Sequence, residues 1–215
     1  MRASDDDVTG RLRELAGRAR LALDHESLSR LAEYLALLRR WNRRMNLTSL
    51  DAGGDGLHRL AIEPLLAAHH IPAGSKAMMD IGSGGGSPAV PIKIARPELF
   101  VRMVEARTRR AAFLREVVRR LNLVGATVEN SRYEALRARG ELRAAHDVVT
   151  VRGVRASGSV ACALAEFMRP GGVLLLFCAT RQPRPALAAT LRVERRLPLL
   201  EASGSEVVVA RKARR

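Results

Sequence analysis

Between Ser27 and Met45 the apolar residues Leu28, Leu31, Leu35, Leu38, Trp41 and Met45 recur at steps of three and four. That spacing predicts one face of an amphipathic helix, with Ser27 as its N-cap. Asp51 to Gly56 reads as a turn or loop. A second helix, roughly Leu57 to His69, leads to Pro72 and Gly74, which close an N-terminal helical segment. From Lys76 the texture changes. Short apolar runs at Ala77–Ile81, Phe100–Val104, Ala126–Glu129, Asp147–Val151 and Val173–Phe177 predict strands. Between them Pro88–Ala95, Thr108–Leu121 and Ser157–Met168 predict helices, the second turning Phe113, Leu114, Val117, Val118 and Leu121 inward. After Phe177 come a Pro-broken stretch, a weaker strand signal at Leu191–Arg196 and a strand at Glu206–Ala210. The basic tail from Arg211 to Arg215 is expected to fray.

Strands alternating with helices imply βαβ units with right-handed crossovers. The expected fold class is therefore α/β: a mostly parallel, Rossmann-like sheet with helices on both faces, over residues 76–215. Residues 1–75 are expected to form a helical extension packed on that core.

Composition changes this picture in one respect, the charge. The 215 residues carry 37 Lys plus Arg against 22 Asp plus Glu, a formal net charge of +15. Only Lys76, Lys93 and Lys212 are lysines, so arginine makes up nearly all of the cationic total. Such an excess points to a polyanion, nucleic acid or an anionic membrane surface, although genomic base composition can also enrich arginine. Aromatic residues are only 3% of the chain, too few for a base-stacking platform. Arginine clusters at Arg39–Arg44, Arg107–Arg120 and the C-terminus fit phosphate gripping on a structured RNA instead. No apolar run approaches the ~20 residues a membrane helix requires, and the first thirty residues contain no apolar stretch long enough for a signal peptide. Cys162 and Cys178 lie far apart and read as small buried thiols of a reducing cytoplasm. Neither they nor the five histidines have metal-ligand spacing. The expectation is a cytoplasmic monomer without a metal.

The candidate chemistry lies at Asp80-Ile81-Gly82-Ser83-Gly84-Gly85-Gly86, between the first strand of the sheet and a helix. Open α/β sheets bind nucleotide-like ligands there, because the backbone turns sharply and the ligand approaches where a Cβ would stand. Asp80, Gly82, Gly84 and Gly86 match D-x-G-x-G-x-G, a pattern of S-adenosylmethionine binders. Gly84, Gly86 and Ala89 also match G-x-G-x-x-A, which suits NAD. Glu105, at the end of the next strand, is placed to accept both hydroxyl protons of a ribose. The charge, the short chain and the Arg169-Pro170-Gly171-Gly172 turn before the fifth strand favour S-adenosylmethionine.

The side chains that are missing limit the methyl acceptor. Exocyclic amines call for Asp/Asn-Pro-Pro-aromatic after the fourth strand, where this chain has Val151-Arg152-Gly153-Val154. Pyrimidine C5 calls for a cysteine nucleophile in a Pro-Cys or Thr-Cys setting, which neither cysteine has. Ribose 2′-hydroxyls commonly need a lysine-rich set. An acceptor already nucleophilic at neutral pH, such as guanine N7, needs positioning and no general base.

From about Tyr34 to Phe177 the chain resembles the small-subunit ribosomal RNA methyltransferase G family, also called glucose-inhibited division protein B. The resemblance is carried by Trp41-Asn42 followed by Asn46-Leu47-Thr48, by Asp80 through Pro88 continuing to Val90-Pro91, by Arg132-Tyr133-Glu134, and by Val151-Arg152-Gly153-Val154. It implies S-adenosylmethionine-dependent N7-methylation of a guanine in 16S rRNA, on free rRNA or a small-subunit precursor. It also implies cofactor contacts at Gly82, Ser87, Tyr133, Glu134 and Arg152, with Arg152 alternatively on the substrate side. Three departures stand out. Ser87 replaces the usual Phe, Leu60 stands in a His-x-x-Asp/Glu-Ser pattern that retains Glu63 but has Pro64, and Cys178-Ala179 replaces Lys-Gly.

Overall fold

A computed structural model of the chain describes residues 2–48, 56–153, 158–180, 187–200 and 204–214. Its strands are β1 (Ala77–Ile81), β2 (Phe100–Val104), β3 (Ala126–Glu129), β4 (His146–Arg152), β5 (Met168–Ala179), β6 (Leu191–Leu200) and β7 (Ser205–Lys212). They form one sheet in the order β3-β2-β1-β4-β5-β7-β6. β1 to β5 run parallel, and β7 lies antiparallel between β5 and β6. The strand order reverses at β1 and β4, so the crevice for a ligand opens at their carboxyl ends.

The helices are α1 (Arg2–Arg18), α2 (His25–Met45), α3 (Glu63–Ala68), α4 (Ala89–Ala95), α5 (Thr108–Arg120), α6 (Tyr133–Leu136) and α7 (Gly158–Phe167). None of the described helices is long and apolar enough to cross a membrane. Because side chains alternate along a strand, each strand feeds two cores. Met78, Val101, Met103, Val148, Val173, Leu175, Phe177, Val207 and Val209 face one side and pack with α1 to α5. Met79, Ile81, Val104, Val149, Val151, Leu174, Leu176 and Val208 face the other and pack with Leu136 and α7. The same period turns Asp80, Thr150, Arg152 and Ser205 toward the first face, under the N-terminal helices. That parity brings buried polar groups together there.

Several expectations need correction. The cap of α2 is Asp24, whose Oδ1 accepts the Ser27 N–H at 2.7 Å; Ser27 already lies in the first turn. α1 precedes the two helices read from periodicity; its Val8, Leu12 and Leu15 have helical spacing and are buried. The second helix begins with a wide π turn at His58–Ile62 before α3. β5 starts five residues early because Met168 already pairs with His146 of β4; the chain then bulges through Gly171, at φ +78°, before Val173 pairs with Val148. A Cβ at Gly172 would lie 2.9 Å from Arg169 O, so that bulge requires glycine. The tail does not simply fray. Arg211 and Lys212 belong to β7, and Lys212 Nζ donates to Ala165 O and Met168 O at 2.7 and 2.8 Å. The thiols are not both buried: Cys162 is exposed on α7 and Cys178 half-buried, both free. Residues 51–55 of the expected loop, Val154 and Ser157 lie outside the described residues.

Candidate active site

β1 ends at Ile81 and the chain turns at once through Gly82 to Gly86 toward α4. Gly82, Gly84 and Gly86 have φ of +74°, +53° and +92°, conformations that L side chains rarely adopt. At Gly86 a Cβ would also stand 2.9 Å from Val90 Cγ2 and 3.3 Å from Leu114 Cδ2 and Tyr34 Cε2. At Gly84 it would meet only Arg110 Nη1 and Gly82 O, both at 3.7 Å. Gly86 is therefore required by helix packing, whereas Gly84 is required by the turn and leaves room above it. The turn hangs from β2: the N–H groups of Gly82 and Ser83 donate to Val104 O at 2.9 and 3.0 Å.

Glu105 follows β2 and is buried. Its Oε2 accepts the Gly84 N–H at 2.9 Å and its Oε1 the Arg107 N–H at 2.8 Å. Each oxygen keeps a further acceptor site, the capacity a ribose diol uses. Asn130, which sequence reasoning missed, braces this corner by donating from Nδ2 to Glu105 O and Ala106 O at 3.0 and 3.2 Å.

Asp80 is buried on the opposite side of the turn, with Oδ1 accepting the Thr150 hydroxyl at 2.5 Å. Its Oδ2 and the Ser87 hydroxyl oxygen are buried with no hydrogen-bond partner among the described residues. Burial pushes the Asp80 carboxyl up to about 6, against the nearby Ser83 hydroxyl, the Thr150 hydrogen bond and the charge of Arg152, which pull it down.

Tyr34 was also missed, since it fell between the apolar positions of α2. Fully buried, it donates its hydroxyl to Gly85 O at 2.7 Å, and burial raises the phenol well above its ordinary range. Leu38 sits beneath the same glycine, 3.1 Å from where a Cβ would be. The Trp41-Asn42 and Asn46-Leu47-Thr48 signature ends this helix against α5. Trp41 packs on Phe113 with ring centroids 5.6 Å apart, Asn46 takes a left-handed φ of +46°, and Asn42 Oδ1 accepts the Thr48 N–H at 2.9 Å. Arg110 Nη2 reaches Asn46 O at 3.4 Å.

Arg152 leaves β4 one residue beyond the Val151–Ile81 pair, beside the glycine turn, and is itself paired in register with Phe177 of β5. Its guanidinium lies 4.4 Å from the Phe177 ring centroid, donates to Arg59 O, and reaches Glu63 Oε2 at 3.0 Å. Glu63 Oε1 in turn accepts the Ser205 hydroxyl. Thus Asp80, Gly82, Gly84, Gly86, Ser87 and Glu105 gather about one turn, with Arg152 one strand away. Tyr133 and Glu134 open α6 after β3; Glu134 is exposed, Tyr133 half-buried, and no hydrogen bond joins either to the glycine turn.

Residues 27–194 match the model of the family described as rRNA small subunit methyltransferase G, GidB. The chain belongs to that family. The ribosomal RNA small subunit methyltransferase G of Xanthomonas euvesicatoria is 37% identical over 154 residues, which cover 72% of this chain and 70% of that protein. Among solved structures, a putative O-methyltransferase from Klebsiella pneumoniae aligns over 99% of this chain and 100% of its own, with a TM-score of 0.64 at 16% identity. A point mutant of MtNAS, solved in complex with S-adenosylmethionine, has a TM-score of 0.56 at 15% identity over 87% of this chain and 77% of its own. At such identities these two show the fold. This methyltransferase of the G family uses S-adenosylmethionine. The residues present fit that cofactor: a turn with nothing closer than 3.7 Å to a Cβ at Gly84, a buried carboxylate at Glu105 with acceptor sites left over, and a buried carboxylate oxygen at Asp80 lacking a partner among the described residues.

Proposed function

We propose that the protein transfers a methyl group to N7 of a guanine in 16S rRNA. The observation that carries this reading is the carboxyl end of β4 within a ribosomal RNA methyltransferase family. The side chain there is Arg152, a cation held by Glu63, and not a proton acceptor for an amine or hydroxyl. Cys178 is a poor alternative nucleophile, because burial pushes its thiol up to about 11 and leaves little thiolate at neutral pH. Guanine N7 has a lone pair and no proton to lose, so alignment of acceptor and methyl suffices.

S-Adenosylmethionine supplies an electrophilic methyl on a sulfonium. The protein's own groups do the rest. Glu105 holds the ribose, Asp80 and the glycine turn hold the cationic amino-acid end, and Ser87 borders the pocket. Tyr133 and Glu134 edge it from α6. Exposed arginines at Arg40, Arg43, Arg44, Arg107 and Arg109 flank Arg110 at the rim and grip phosphates. The protein works in the cytoplasm as a monomer, residues 1–75 serving as a helical segment on the catalytic domain of residues 76–215.

Mass spectrometry of 16S rRNA from cells with and without the gene tests the substrate. Loss of one 7-methylguanosine is expected without it; unchanged content overturns the assignment. Labelled methyl transfer to small subunits and naked rRNA then separates the two substrate forms, and RNA affinity is expected to fall steeply with salt.

A further inference from the structure

The group beside the cofactor turn poses an electrostatic problem. S-Adenosylmethionine carries a sulfonium, and methylation at N7 leaves the purine cationic, yet an arginine stands at the carboxyl end of β4. That arginine is largely out of water, with its side chain 15% exposed. Its charge is felt one strand away, at Asp80, and across the turn at Tyr34. A second cation, Arg59, lies next to it. An uncompensated charge there would oppose a cationic ligand with little solvent screening.

Glu63 is the carboxylate paired with Arg152 among the described residues, and it is 1% exposed. Three contacts fix the pair. Ser205 of β7 donates to Glu63 Oε1, Arg59 O accepts from Arg152, and the Phe177 ring covers the guanidinium. A single-chain separation of 89 residues between the partners means that the fold, not local sequence, brings them together. We infer that Glu63 is a positioning residue that holds Arg152 against Phe177 and cancels its charge, so that the pocket accepts the sulfonium of S-adenosylmethionine. The inference rests on the reading of the glycine turn as the cofactor site.

The telling comparison is between S-adenosylmethionine and S-adenosylhomocysteine, which differ by the methyl group and its charge. Calorimetric titration of the full chain measures both. Glu63→Gln keeps the shape and exposes the Arg152 charge; affinity for S-adenosylmethionine is expected to fall about tenfold, and that for S-adenosylhomocysteine less than about threefold. Adding Arg152→Gln to this variant restores the ratio. Arg152→Gln alone shifts the ratio the opposite way, toward S-adenosylmethionine, and gives a second test should Glu63→Gln fold poorly. A merely structural Glu63 would weaken both ligands in parallel, and parallel loss or an unmoved ratio in these variants overturns the inference. Failure of wild type to bind either ligand would instead overturn the site itself.

Discussion

The two ends of the sheet handle buried charge in opposite ways. At the amino end the buried and half-buried charges Lys93, Asp147 and Lys212 are tied down. Lys93 Nζ donates to Pro97 O and Leu99 O, both at 2.6 Å. Asp147 accepts the N–H groups of Lys76 and Ala77 at 2.8 and 2.9 Å and the Arg169 guanidinium at 2.9 Å. Lys212 spans two carbonyls. At the carboxyl end, partners are missing: Asp80 Oδ2, Ser87 Oγ, His58 Nδ1, Arg59 Nε and Arg152 Nε are buried without one. Away from this end only Arg102 Nε shares that state among the described residues, and its guanidinium still reaches Glu129. Buried polar atoms are costly when unpaired, so orphans gathered at one end are the groups whose bonding a bound ligand would complete. One end of this sheet is built for stability and the other holds polar capacity in reserve.

The sharpest break of that contrast is Glu63→Ala, which leaves Arg152 buried and unpaired at the reserve end. A loss of about 3–5 kcal/mol is expected in urea unfolding, largely recovered by adding Arg152→Met. Asp80→Asn has the opposite sign. The folded-state pKa of Asp80 is raised from 3.8 to about 6, so wild-type stability falls as pH rises from 4 to 6. The asparagine removes that fall. The ligand-free variant should be more stable than wild type by about 2 kcal/mol at pH 8 and equal to it near pH 4, while its cofactor affinity drops. Gly86→Ala and Gly84→Ala separate packing from ligand approach: about 2 kcal/mol for the first, where a Cβ meets Val90, and about 1 for the second. Gly84→Val should nonetheless lower S-adenosylmethionine affinity, and undiminished binding would show the turn misassigned.

The smallest change lies at the amino end. Burial alone would raise the Asp147 carboxyl, but the N–H groups of Lys76 and Ala77 and the Arg169 charge outweigh it and hold the group below its ordinary range. Asp147→Asn should therefore cost about 1 kcal/mol above pH 4, a difference that vanishes as pH falls through the depressed pKa. Cofactor affinity measured by calorimetry should not change. If it does, the separation between the two ends fails.

Much of this was legible along the chain, for local reasons. β1, β2 and β3 start and stop where their apolar runs do, because each is short and ends at a glycine or polar residue, Gly82, Glu105 and Asn130. β6 was harder to read. It is an edge strand with Arg192, Glu194 and Arg195 exposed and Pro198 near its end, so it lacks the continuous apolar run of its neighbours. The glycine turn and Glu105 were legible because the backbone itself demands glycine there and strand ends are read from hydropathy. Tyr34 and Asn130 were not, since each acts through hydrogen bonds to a backbone distant in sequence.

The sequence by itself determined the alternation of strands and helices from β1 to β5, the glycine turn between β1 and α4, and the family, because these follow from local conformation and from residues a few positions apart. Only the tertiary structure decided what Arg152 does. Its partners Glu63 and Ser205 come from α3 and β7, and no pattern of spacing joins residues 63, 152 and 205. The physical reason is the sheet. Strand register and the two-residue period turn Asp80, Thr150, Arg152 and Ser205 onto one face, and the helices packed over that face set which of their charges are paired.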